Sequence, residues 1–129
     1  MKMIKSGELL VAMVFDGVFE DGTRPLTDEQ LALQVIALKH PKGKKLVSHS
    51  HSPKERTTKT LVEALIVFSG RVAITAYTRE GSFVEKIELG KGQGILIVDG
   101  GIGIEILEDA EMMEFKNGPF IEDKIVFDK

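Results

Sequence analysis

Two histidines one residue apart, His49-Ser50-His51, are the side chains of this chain best suited to chemistry. On a β-strand, residues i and i+2 point to the same face, so the two imidazoles would project side by side. Glycines at 43 and 70 and a carboxylate at 63 complete the spacing Gly43-x5-His49-x-His51-x11-Glu63-x6-Gly70. A carboxylate from the next strand adds one oxygen to two nitrogens, the donor set that suits iron, zinc, manganese or nickel. His49, His51 and Glu63 are therefore the expected ligands of a divalent metal, converging inside the fold. Without a metal, His49 or His51 can act as a general base.

The residues around this set have two readings each. Strand alternation puts Glu63 with Leu61, Leu65 and Val67 on an otherwise apolar face. Burying a carboxylate there is costly unless it is paired, and an unpaired one is pushed up in pKa. Arg56, or a neighbouring protonated histidine, is the cation the sequence offers it. Lys54, Arg56 and Lys59 lie in the polar stretch Ser52 to Val62, read as a loop between two strands. Lys54 and Arg56 are expected to meet an anionic substrate there, Arg56 through its planar fork; a solvated loop is the plainer alternative. Tyr77, the sole tyrosine, is a candidate proton donor or else a packed aromatic. His40, ahead of Pro41, reads as a surface residue at a strand end. Met112 and Met113 read as packing residues, and Asn117-Gly118-Pro119 as a turn.

The Gly43 to Gly70 spacing resembles the first motif of the cupin superfamily, Gly-x5-His-x-His-x3–4-Glu-x6-Gly, with a longer stretch between His51 and Glu63. Gly92-x5-Val98-Asp99-Gly100-x2-Gly103 occupies the frame of the second cupin motif. The proline of that motif is Val98 here, and its histidine falls on Gly103 or Ile102, so the usual fourth ligand is missing. Leu107 to Phe120, with Glu114-x-Lys116-x-Gly118-Pro119-Phe120, and the pair Asp123-Lys124 are similar to the tail of a group of small bacterial cupins. That group includes cupin-fold metalloproteins and looks distantly like sugar-nucleotide isomerases and epimerases. The resemblance implies a double-sheet jelly-roll barrel with its motifs at about 43–127. It further implies a small-molecule ligand of carbohydrate type, a divalent metal or none, and a homodimer. Three functions are open: a metal-dependent enzyme, a metal-independent isomerase or epimerase, and a non-catalytic binding module.

The elements that must position these residues read as strands. Apolar runs are short, rich in Val, Ile and Phe, and bounded by Gly, Asp, Ser or Asn. The expected strands are Leu9–Phe15, Leu31–Lys39, Lys45–His51, Leu61–Phe68, Arg71–Thr78, Phe83–Leu89, Ile95–Val98, Ile102–Leu107, Glu111–Lys116 and Ile125–Phe127. Ser69-Gly70, Glu80-Gly81-Ser82 and Glu108-Asp109-Ala110 read as hairpin turns. Thr27–Gln34 hints at one helical turn with Thr27 as its cap. So many strands with regular turns predict an all-β sandwich or barrel. The 129 residues fit a single domain, 1–129.

Composition narrows the chemistry. With no cysteine, disulfides, thiolate-bound zinc and thiol catalysis are excluded. A net charge of -3 gives no reason to expect a nucleic-acid partner. The apolar run Leu9–Phe15 follows Lys2 and Lys5 as a signal sequence would, but Glu8 and Asp16 flank it closely and no small-x-small site follows. No run approaches membrane-spanning length. A cytoplasmic protein without a membrane partner is the expectation.

Overall fold

A computed structural model describes residues 1–127. The near-continuous apolar run Leu9–Phe15 forms β2, and such runs belong to strands covered on both faces. It pairs on one edge with β1 (Lys2–Ser6) and on the other with β7 (Gly94–Ile97), both antiparallel. The rest of the sheet is built on β5 (Glu63–Tyr77), which has three antiparallel partners. β7 pairs with its first residues, and β6 (Phe83–Gly90) with its second half. β8 (Gly101–Lys116) pairs along its whole length, from Glu63↔Lys116 to Tyr77↔Gly101. The sheet order is β1-β2-β7-β5-β6, with β8 on β5, and the sheet curls into a half-barrel. Two short strands, β3 (Gly22–Pro25) and β4 (Ile36–Lys39), form a separate antiparallel pair. No helix occurs among the described residues.

Two of the expected turns are bends instead. Ser69-Gly70 lies inside β5 and Glu108-Asp109-Ala110 inside β8, so four expected strands are two long ones. The β5–β8 register shifts three times between Val67 and Val72, and the two strands bend together there. Gly70 makes the bend possible: its φ is +82° and a Cβ on it would overlap the Asp109 carbonyl oxygen. A breaker beside a second breaker on the facing strand gives a shared bulge, which raises local twist without ending the pairing. Glu80-Gly81-Ser82 does reverse the chain: the Thr78 amide donates to the Ser82 carbonyl and the Gly81 amide to the Thr78 carbonyl.

The expected strand Lys45–His51 does not form. Residues 41–61 carry no regular structure and are exposed throughout. Leu46 and Val47 are the only large apolar residues between Lys42 and Thr60, and being adjacent they fall on opposite faces. Neither face has an apolar row to anchor a strand. Ile125–Phe127 is likewise unpaired, and Leu31–Lys39 is a strand only from Ile36. Over 27–34 a single turn forms, closed by the Leu31 amide on the Asp28 carbonyl. The Thr27 hydroxyl caps nothing; it accepts from the Val35 amide and donates to Gln34 Oε1, tying the two ends of that segment.

The core has two layers. The concave side of the sheet buries Ile4, Val11, Val67, Val72, Ile74, Leu89 and Ile97, drawn from five strands. The outer side buries Met13, Val62, Ala64 and Leu96 beneath Leu31, Leu33 and Val35. The expected alternation of Val72, Ile74 and Ala76 toward one apolar face is borne out, all three being buried.

Candidate functional site

Glu63 opens β5, and residues directly opposite in an antiparallel pair share a face. Glu63 faces Lys116 and Leu65 faces Glu114, so both carboxylates and the ammonium lie on the side of buried Leu65 and Val67. Lys116 Nζ is 3.8 Å from Glu63 Oε2 and 3.7 Å from Glu114 Oε2. The Glu114 carboxyl stands near enough to Glu63 for the two to share a proton, which one of them must then carry. That sharing, partial burial and the Glu114 charge push the Glu63 carboxyl up to about 7, against the pull of Lys116 and Lys124. The same sharing holds Glu114 below its ordinary value. With Glu63 raised to about 7 and Glu114 lowered, the proton of the pair is favoured on Glu63, beside the Lys116 ammonium.

Asn117 fixes the chain next to this pair. Its Oδ1 accepts from the Val62 amide at 2.8 Å. Its Nδ2 donates to Thr58 Oγ1 at 3.2 Å and to the Thr60 carbonyl at 3.1 Å. One side chain thus pins the end of the 41–61 segment beside Glu63, and the turn expected at Asn117-Gly118-Pro119 carries this clamp.

His49 and His51 are placed differently from expectation. Both are exposed on that segment, outside any strand, so the i, i+2 rule does not direct them inward. Their rings meet edge to face at 5.1 Å, and His49 Nδ1 lies 2.8 Å from the Val47 carbonyl. Among the described residues no three His, Asp or Glu side chains gather as a metal would need. The carboxylate pair offers oxygen donors, but the Lys116 ammonium stands within ion-pair distance of both. As arranged, these residues do not fit a divalent ion.

The other candidates are also apart. Arg56 is exposed and donates to the Lys54 carbonyl at 3.3 Å; the cations on Glu63 are Lys116 and Lys124 instead. Lys54 is exposed on the same segment. The Tyr77 ring packs edge-on against Phe127 at 5.4 Å, at the far end of β5 from Glu63. Gly103 lies under that ring, and Ile102 pairs with Ala76 and packs on the inner core. Neither motif-two position adjoins Glu63. His40 is a surface residue, its Nε2 3.0 Å from Thr23 Oγ1.

Sequence reasoning missed Glu114, Lys116 and Lys124 as site residues. The signal was present: Glu114-x-Lys116 has same-face spacing, and both it and Lys124 fall in the tail that carries the resemblance. Comparison with protein-family models, with curated proteins and with solved structures finds no match to this chain.

Proposed function

We propose that this chain binds a small polar ligand of carbohydrate type at the Glu63 end of the half-barrel, and exchanges a proton with it without using a metal. The arrangement that supports this reading is the Glu63–Glu114–Lys116 cluster on the concave side. Adjacent sugar hydroxyls both donate and accept, and a carboxyl pair holding one proton answers both needs. A group that titrates near neutrality is suited to remove a proton from a carbon next to a carbonyl and return it, the step shared by isomerases and epimerases. Glu63 is the residue assigned to that transfer and Glu114 the one that sets its proton. Lys116 and Lys124 supply positive charge for a developing oxyanion or a nucleotide phosphate. The protein is read as a cytoplasmic cupin whose half-barrel is the jelly roll the resemblance implies. The test is turnover of keto-sugar nucleotides, and calorimetric binding of the same compounds, by wild type and Glu63→Gln. Loss of turnover with retained binding in the variant supports the assignment. Binding without turnover by wild type leaves a non-catalytic module, and neither binding nor turnover rejects the site.

One observation favours a second reading. His49 and His51 stand in frame with Glu63, with their rings adjacent. If residues ahead of the Asn117 clamp fold inward, two imidazoles and a carboxylate supply the iron, zinc, manganese or nickel set. Elemental analysis of protein purified without chelating resin tests this. Metal should be lost below about pH 6 as imidazoles protonate. Metal fully retained in the His49→Ala, His51→Ala double variant would reject these ligands.

A further inference from the structure

Only one edge of β8 is paired. β5 occupies that edge over all its length, and the other edge meets no strand among the described residues. It runs sixteen residues, from Gly101 to Lys116. Bare edges of that length are uncommon, because their unpaired amides and carbonyls invite another strand. This one also leaves large apolar side chains exposed, Ile106 at 52% and Met113 at 53% among them. Its charge has one sign: Glu105, Glu108, Asp109, Glu111 and Glu114 are all exposed, against the single cation Lys116. A dispersed row of acids keeps two β8 edges from pairing with each other.

The chain carries a segment of opposite character. Lys42, Lys44, Lys45, Lys54, Arg56 and Lys59 stand in the exposed stretch 41–61 with one acid, Glu55. Leu46 and Val47 are exposed at 50% and 83% in its middle. Segment and edge are each unsatisfied within one molecule, and they match in charge and apolar content. We propose that two copies of this chain associate through them, each laying Lys44–His51 along the free β8 edge of the other as an added strand. Strand addition takes its strength from main-chain hydrogen bonds and its selectivity from the side chains, here lysine against glutamate. The two contacts are reciprocal, which closes the assembly at a two-fold dimer rather than a fibre. The proposal is independent of the function assigned to Glu63.

The decisive experiment uses the wild-type chain. Equal amounts of 14N- and 15N-labelled protein are mixed in about 1 M salt, where exposed charges are screened, and dialysed to low salt. A zero-length carbodiimide reagent then joins lysine to glutamate, and peptides are read by mass spectrometry. Links from Lys44 or Lys45 to Glu105 or Glu108 are expected, about half of them joining one light and one heavy peptide. Links joining like isotopes alone mean that each chain closes on itself, and overturn the proposal; so does the absence of any link between these segments. Charge exchange checks the same contact. Lys44→Glu/Lys45→Glu and Glu105→Lys/Glu108→Lys variants are each expected to sediment as monomers, and as a dimer when mixed. Two folded variants, by circular dichroism, that stay monomeric on mixing would also overturn it.

Discussion

At Glu63 three neighbours decide the chemistry of one side chain. The carboxyl sits half-buried against a second carboxyl, and a shared proton costs less than two adjacent negative charges. Its value, raised from 4.5 to about 7, sets the sign of a stability effect. Between those limits the unfolded chain has released the proton and the folded chain still holds it. The unfolded state binds fewer protons, so this group makes stability fall as pH rises from about 4.5 to 7. Glu114, being lowered, contributes in the opposite sense, adding stability above its unfolded value that is lost on acidification. Glu63→Gln keeps the hydrogen bond and removes the like charge. Its urea midpoint is expected to match or exceed that of wild type at pH 8, with a flatter profile between pH 5 and 8. Identical slopes in the two proteins would sink the shared-proton account. Gly70 carries the other demand at this scale. Gly70→Ala must relieve an overlap with the Asp109 carbonyl at positive φ, and is expected to cost about 2 kcal/mol or more. An unchanged urea midpoint would mean that the bend relaxes freely.

Strand elements were legible in the sequence wherever an apolar row could be counted. Leu9–Phe15 and the Val72-Ile74-Ala76 face follow from burial, and burial is what holds a strand in register. The inward face of Glu63 follows from the same counting. What was not legible is whether a glycine ends a strand or bends it. Gly70 does the second because β8 stays paired on both sides of it, a fact held by residues forty positions away. The histidine segment fails for a related reason: Leu46 and Val47 give it no apolar row, so only pairing with another edge could make it a strand. Asn117 is the element-scale tie between that segment and the site. Asn117→Ala removes three hydrogen bonds and leaves the part-buried Val62 amide without its acceptor, which costs about 1–3 kcal/mol. Trypsin should then cut sooner at Arg56 and Lys59 than in wild type, since cleavage follows local opening. Equal cleavage rates would show that Asn117 does not hold the segment.

For the whole molecule, the two core layers are not equivalent. The concave layer joins β1, β2, β5, β6 and β7, so its side chains hold the curl of the sheet. The outer layer is roofed by Leu31, Ala32, Leu33 and Val35, from a segment with one turn whose hydrogen bonds run within itself rather than to the sheet. Close packing makes a vacancy cost more where the surroundings cannot collapse into it. Ile74, fully buried at the middle of the second half of β5, stands between β6 and β8, and both hold its backbone in place. Ile74→Ala is therefore expected to cost about 3–5 kcal/mol, the upper part of the range for such truncations. Leu33 is only half-buried and sits on a segment free to settle onto Ala64 and Leu96. Leu33→Ala is expected to cost about 1 kcal/mol, the lost transfer of a half-covered side chain with little cavity left behind. Urea unfolding of both variants at one pH measures the contrast. Equal losses would mean that the outer segment packs as rigidly as the sheet, and the half-barrel would then be a closed two-sided sandwich in its energetics.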